Sequence, residues 1–85
     1  MNLVPSARFI ADAAKLEKKN RELKEDIRKT LYHLQINPGH PSLRLHKLSG
    51  QKAYAISVTM SIRIVFTRVE DNIYLLRIGT HEEVY

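Results

Sequence analysis

The chain has 85 residues, a formal net charge of +5 at neutral pH and no cysteine. This length supports one compact domain, residues 1–85, because a chain of this size buries only enough surface for a modest stability margin. The missing cysteines exclude disulfides, thiolate metal sites and thiol nucleophiles. The sequence has no long apolar run and no secretory pattern at its start, so we expect a cytoplasmic protein without a membrane partner.

The positive charge is concentrated in the middle of the chain. Residues 41–69 hold five Lys or Arg and no Asp or Glu, whereas residues 70–85 hold one basic residue against four acidic ones. A segment of this kind projects an uncompensated positive field, which favours RNA, DNA or an acidic protein as partner. Small proteins are often basic by chance, so charge alone leaves the partner open.

Two helices are predicted in the first half of the chain. Apolar side chains recur at helical spacing in residues 6–19, with Ser6 as the candidate N-cap. A second helical pattern follows Asn20 and stops at the sequence NPGHP, because Pro and Gly cannot continue a helix. The short connection between the two patterns predicts a helical hairpin.

The second half of the chain changes to a period of two, which is typical of strands. Residues 53–60 and 61–69 alternate in this way, and residues 73–79 form a third strand pattern after a turn signal at 70–72. Residues 2–4 are a further short candidate for the sheet. The predicted fold is therefore α+β, with an N-terminal helical hairpin packed on a small antiparallel β-sheet.

His46 is the first candidate for a catalytic residue. It lies in the basic stretch RLHKLSGQKAY, where Leu43 and Leu45 alternate with Arg44 and His46. Arg44 and His46 are therefore expected to face away from the leucines, toward solvent or a groove. An ordinary surface histidine is the alternative interpretation.

Arg63 lies in the middle of an apolar strand, on the face opposite Ile62 and Ile64. Burial of an unpaired guanidinium is prohibitive, so this side chain either faces an open groove or pairs with an anion. A cross-strand ion pair with one of the four carboxylates in residues 70–85 is the alternative to a functional role.

The segment THEEVY offers two further groups. His81 follows the third predicted strand, at a sheet edge where its imidazole can accept and donate a proton near neutral pH. Tyr85 can donate a phenolic hydrogen bond or stack on a nucleic-acid base. The alternative is a frayed tail that packs on a helix. His33 and His40 lack metal-ligand spacing to the other histidines, so no metal site is predicted.

Three segments, HPSLRLHKLSG, SIRIVF and LLRIGTHEEVY, together resemble the RelE/ParE superfamily of type II toxin–antitoxin systems. The resemblance is closest to its RelE-, YafQ- and YoeB-like messenger-RNA interferases. It extends over nearly the whole chain, because residues 6–19 are similar to the family's first helix and residues 22–38 to its second. Each segment is short, and their order and spacing carry the resemblance.

The resemblance implies a small toxin that acts as a metal-free endoribonuclease, cleaving mRNA on the ribosome. It also implies neutralisation by a cognate acidic antitoxin, and no small-molecule cofactor. At the matching positions His46 and His81 are implied as acid and base, Arg63 as the ligand of the scissile phosphate, and Tyr85 as an RNA contact. Three further cations are assigned to RNA binding: Arg44, Lys47 and Lys52.

The sequence departs from the family pattern in its missing acidic groups. Related sequences carry Asp or His before the arginine-bearing strand, where this chain has Ser57, Thr59 and Ser61. No carboxylate occurs in residues 41–69 to serve as a base. Two alternatives therefore stay open: a ParE-like toxin that binds a topoisomerase, and a catalytically degenerate module that only binds an antitoxin.

Overall fold

In the computed structural model, which describes residues 1–50 and 52–85, two helices pack on one five-stranded sheet. The α+β class expected from the sequence is confirmed. The helices are α1 (Ala7–Lys19), α2 (Glu22–Ile36) and the short α3 (His81–Val84), with a 3₁₀ turn at Pro41–Leu43. The strands are β1 (Asn2–Pro5), β2 (His46–Lys47), β3 (Tyr54–Ser57), β4 (Ile62–Val69) and β5 (Asn72–Thr80).

The strand order is β1-β5-β4-β3-β2. Strands β2 to β5 pair antiparallel, as the sequence predicts for the three longer strands. Strand β1 lies parallel to β5, with Leu3 opposite Ile73, so the sheet is mixed rather than antiparallel throughout. Parallel pairing joins distant segments and leaves no turn signal between them, which is why the sequence does not reveal it.

The start of α1 is fixed by Ser6, the predicted N-cap. Its hydroxyl oxygen accepts a hydrogen bond from the Phe9 N–H at 3.0 Å, and its O–H donates to the Leu76 carbonyl at 3.1 Å. One side chain therefore caps α1 and attaches it to β5. No helix in the described part of the chain is long and apolar enough to cross a lipid bilayer.

Asp12 forms a hydrogen bond with the edge of β5, beyond the residues of β5 that pair with β1. Its Oδ2 accepts hydrogen bonds from Arg77 Nε at 2.8 Å and from the Ile78 N–H at 3.2 Å, and its Oδ1 lies 3.4 Å from Arg8 Nε. Burial by itself raises the pKa of Asp12, but the hydrogen bonds from Arg77, Ile78 and Arg8, together with the charge of Arg77, hold this pKa below its ordinary value. Asp12 is therefore an ionised acceptor that joins α1 to the sheet.

Strand β4 separates two faces of the sheet. Ile62, Ile64 and Phe66 belong to the buried core, on the side that we call the core face. Arg63 and Val65 alternate with them and point to the opposite side, the outer face. The register places these residues together on the outer face: His46, Ala55, Ser57, Arg63, Val65 and Gly79.

Strand β3 is shorter than the sequence predicts. It ends at Ser57, the chain turns before β4 begins, and Met60 is 91% exposed instead of lying on a strand. The Thr59 hydroxyl accepts a hydrogen bond from the Ile62 N–H at 3.1 Å. Hydroxyl groups that bond to nearby backbone in this way favour a turn over a continued strand ladder.

Candidate functional site

Three of the four side chains predicted to be catalytic meet on the outer face. The Tyr85 hydroxyl lies 3.3 Å from His46 Nε2, within hydrogen-bond distance. The Tyr85 ring also packs edge-on against the His81 ring, with centroids 4.2 Å apart and an interplanar angle of 62°. All three residues are exposed to solvent, and Tyr85 is 42% exposed. We call these three residues the His–Tyr cluster.

Helix α3 produces this arrangement. Thr80 Oγ1 accepts a hydrogen bond from the Glu83 N–H at 3.3 Å, and Glu83 Oε1 accepts one from the Thr80 N–H at 2.9 Å, which is a capping box. The helical turn places His81 and Tyr85 on one side, and the Tyr85 N–H donates to the His81 carbonyl at 3.1 Å. The hydrogen bonds to Thr80 hold the pKa of Glu83 below its ordinary value, so the cap is ionised at neutral pH.

Gly79 leaves the space into which α3 packs. The helix contacts both β4 and β5. A Cβ atom on Gly79 would lie 3.1 Å from Glu83 Oε1 and 3.2 Å from Val84 Cγ1, which is tighter than ordinary side-chain contact. The C-terminal segment is therefore a helix seated on the sheet, and not the frayed tail that the sequence left as an alternative.

Arg63 points to the same face, but its guanidinium occupies a neighbouring pocket. Its Nη1 donates a hydrogen bond to the Thr59 carbonyl at 2.8 Å. Strands lie about 4.8 Å apart and rise about 3.3 Å per residue, so the Cα atoms of His46 and Arg63 are about 12 Å apart across two strands. Within the described residues, no ion pair joins Arg63 to the carboxylates of residues 70–85.

Arg44 shares the pocket with Arg63, and we call their common site the arginine pocket. Its volume is about 240 Å³, and the hydroxyl-bearing Ser42, Ser57 and Thr59 also line it. Arg44 has a left-handed backbone, with φ of 51°, where the chain leaves the 3₁₀ turn. Among the described residues that line the pocket there is no carboxylate, so its charge is positive.

The two lysines that were predicted to bind RNA do not line the arginine pocket. Lys47 is opposite Tyr54 in the ladder, so it points to the side opposite His46. Lys52 is exposed shortly before β3. Of the three cations assigned to RNA binding from the sequence, Arg44 is the one that shares a pocket with Arg63.

The residues that position the cluster were not among those predicted from the sequence. Thr80 and Glu83 have the Thr-x-x-Glu spacing of a capping box, which is a recognisable start signal for a helix. The signal was overlooked because α3 is only four residues long and carries no helical hydrophobic pattern. Across residues 1–50 and 52–85, no three His, Cys, Asp or Glu side chains form a group that could hold a metal ion.

The outer face therefore combines two kinds of chemistry. The His–Tyr cluster offers two imidazoles and a phenol, which can transfer protons. The arginine pocket offers guanidinium groups that stay charged and bind phosphate oxygens in a fork geometry. Proton transfer and anion binding on one side of a sheet are the requirements for acid–base chemistry on a phosphate ester.

Comparison with known proteins identifies the fold. No protein-family model matches the sequence, and no curated protein sequence matches it. A copper-bound mutant toxin from Helicobacter pylori is 22% identical, with a TM-score of 0.86 over 100% of this chain and 99% of that one. The heterotetrameric YoeB–YefM toxin–antitoxin complex from Staphylococcus aureus is 17% identical, with a TM-score of 0.78 over 95% of this chain and 97% of that one.

A third solved structure, YafQ from E. coli strain BL21(DE3), is 20% identical and gives a TM-score of 0.74 over 99% of this chain and 97% of that one. These neighbours are toxins of the YoeB/YafQ/ParE-like RelE superfamily. At such identities the likeness establishes the fold. The chain has the fold of these toxins, as the sequence resemblance implied.

Proposed function

We propose that this protein is the toxin of a toxin–antitoxin system and that it cleaves messenger RNA. The observation that carries the proposal is the contact of Tyr85 with both His46 and His81, on the sheet face that also presents Arg63. His46 and Tyr85 are 39 positions apart in the chain, so the fold alone accounts for their meeting. The shared fold with solved toxins supports the toxin role.

The proposed reaction is attack by a ribose 2′-hydroxyl on the adjacent phosphorus. One histidine of the cluster accepts the 2′-hydroxyl proton, the new 2′-oxygen–phosphorus bond forms, and the bond to the 5′-oxygen breaks. The second histidine or Tyr85 donates a proton to the departing 5′-oxygen. The products are a 2′,3′-cyclic phosphate and a free 5′-hydroxyl, so protons and bonds balance.

Arg63 is proposed to stabilise the negative charge that develops on the phosphoryl oxygens. In the structure its guanidinium is bonded to the Thr59 carbonyl, so this role requires the long side chain to turn from the arginine pocket toward the bound phosphate. Removal of one such donor typically costs about 3 kcal/mol of transition-state stabilisation. Arg44, in the same pocket, is proposed to bind the RNA backbone.

Primer extension on cellular mRNA after brief induction tests the nuclease activity. The wild type is expected to create new 5′ ends that are missing with His81→Ala and present with Glu82→Ala, the adjacent exposed residue of α3. Intact mRNA during wild-type growth arrest would contradict the nuclease and favour the topoisomerase-binding alternative. Intact mRNA without growth arrest would favour the module that only binds an antitoxin.

The proposed partner in the cell is a small acidic antitoxin, and the proposed substrate is mRNA on the ribosome. The toxin–antitoxin complex among the structural neighbours supports a protein partner, and the carboxylate-free stretch of residues 41–69 favours an acidic one. We expect an untagged small acidic protein, encoded beside this one, to copurify with it. Absence of any such product after coexpression would contradict the antitoxin proposal.

A further inference from the structure

A second group of rings lies at the end of α2, outside the His–Tyr cluster. The His33 and His40 rings are stacked, with centroids 4.6 Å apart and an interplanar angle of 29°. Tyr32 meets His33 edge-on, with centroids 5.8 Å apart. Tyr32 is 57% exposed, so its ring is accessible to a ligand. We call these three residues the aromatic surface.

The aromatic surface is held in place by the turn that follows α2. His40 Nδ1 accepts a hydrogen bond from the Ser42 N–H at 3.2 Å and lies 2.7 Å from the Ser42 hydroxyl oxygen. The backbone N–H of His40 donates a hydrogen bond to the Asn37 carbonyl at 3.0 Å. A ring that is fixed before a ligand arrives loses little conformational entropy on binding, so His40 and the His33 ring that stacks on it are preorganised.

Two adjoining grooves connect the aromatic surface with the arginine pocket. The first is lined by Lys29, Tyr32 and His33, and the second shares Lys29 and His33 with it. The second groove shares Ser42 and Ser57 with the arginine pocket. A chain that leaves the arginine pocket can therefore follow one surface around the end of β3 to the rings of α2.

The charges along this path favour a polyanion. Lys29 flanks the aromatic surface, and the arginine pocket lies at the other end of the path. Arg28 is also nearby, but it is engaged with Glu25 at 2.6 Å. Asp26 is the one carboxylate among the described residues that line the second groove. Exposed rings between cations are the arrangement by which proteins bind single-stranded nucleic acid, because every base has a face that stacks on an aromatic ring.

We propose that Tyr32, His33 and His40 form a stacking surface for bases of the RNA strand that extends from the arginine pocket. The inference rests on the proposed function for the choice of RNA, and it adds a second, distant contact with the same strand. The surface increases the affinity for RNA long enough to reach it and leaves the cleaved linkage to the His–Tyr cluster. RNA that is too short to reach the aromatic surface is bound without contact to it.

The test uses the purified protein and uncleavable 2′-O-methyl RNA of two lengths, about 4 and about 12 nucleotides, which lie within the size range of single-strand binding sites. Dissociation constants are measured by fluorescence anisotropy of labelled strands. We expect the wild type to bind the longer strand more tightly, Tyr32→Ala to lose about tenfold in affinity for it, and both to bind the shorter strand equally. Tyr32→Phe retains the ring and is expected to match the wild type.

Tyr74→Ala is the matched control, because Tyr74 is also an exposed tyrosine but lies on β5. It is expected to bind both strands like the wild type. Equal binding of the longer strand by wild type and Tyr32→Ala overturns the proposal, as does loss of antitoxin copurification in Tyr32→Ala without any change in RNA affinity. Since the strands cannot be cleaved, a length effect that depends on Tyr32 supports the surface even if primer extension shows no nuclease activity.

Discussion

The two faces of β4 present different kinds of side chain near the start of the strand. The core face presents Ile64 and Phe66, which are buried beneath the helices. The outer face presents Arg63, which is partly exposed, with the His–Tyr cluster on the same side of the sheet. One strand therefore presents apolar side chains to the core and the candidate cation Arg63 to the outer face, where Val65 is nevertheless buried. Substitutions on the two faces should therefore affect different measurements.

The largest effect is expected on the outer face. His81→Ala removes an acid–base group and should lower the rate of mRNA cleavage by a factor of about 10² to 10⁴. Because His81 is exposed, its unfolding free energy should stay within about 0.5 kcal/mol of wild type. Primer extension measures cleavage, and urea unfolding followed by circular dichroism measures stability. A stable His81→Ala protein with undiminished cleavage would remove this residue from the mechanism.

A smaller but still large effect is expected on the core face. Ile64 is fully buried, so Ile64→Ala should lower the unfolding free energy by about 2–5 kcal/mol through lost burial and a residual cavity. Thr67→Ala, on the outer face of the same strand, should change it by no more than about 0.5 kcal/mol. Urea unfolding of the two variants tests the contrast. An equal loss of unfolding free energy in the two variants would contradict the difference in burial between the two positions.

The cap of α3 is expected to affect both the stability of the protein and the geometry of the His–Tyr cluster. Thr80→Ala removes the N-cap acceptor and should weaken the docking of α3 by about 1 kcal/mol, whereas Thr80→Ser keeps the oxygen and should resemble the wild type. The contact between the His81 and Tyr85 rings, followed by NMR, should weaken in the alanine variant alone. If the ring contact persists in Thr80→Ala, the capping box does not position the cluster.

The smallest effect is expected from acid titration of Asp12. Its pKa is lowered in the folded protein from an ordinary value of 3.8, so its contribution to stability is present above that value and is lost as the pH falls through the lower native pKa. Asp12→Asn should therefore make stability less sensitive to pH in this acidic range. Urea unfolding midpoints measured between about pH 5 and about pH 2 would show the difference. Asp71→Asn, at an exposed position in the turn between β4 and β5, is the control for the loss of one carboxylate.

Much of the fold follows from local patterns. The alternation of Ile62, Arg63 and Ile64 predicts which side of β4 is buried, and Ser6 and the NPG sequence predict where helices begin and end. The parallel pairing of β1 with β5 could not be predicted, because it depends on contacts between residues far apart in the chain. Local patterns also overextended β3, since they do not show that the Thr59 hydroxyl stabilises a turn.

The candidate site could likewise be predicted only in part from the sequence. Residue type and position predicted that His46, His81, Arg63 and Tyr85 are candidates, but not how they are arranged. The contact between Tyr85 and His46 depends on α3, and α3 depends on space at Gly79 that a sequence pattern does not display. The guanidinium of Arg63 bonds to a carbonyl of the preceding turn, which residue type alone does not predict. Catalytic roles for these four residues remain predictions for the experiments described here.

Asp12 has a further consequence for how this protein behaves at high concentration. A sheet edge with free N–H groups invites strands of other molecules to add to it, which leads to aggregation. Strand β1 covers the first half of β5, and Asp12 occupies the N–H of Ile78 just beyond it. Asp12 thus occupies one backbone donor, and the Ser6 hydroxyl one backbone acceptor at Leu76, which would otherwise be open to a strand of another molecule where β1 ends.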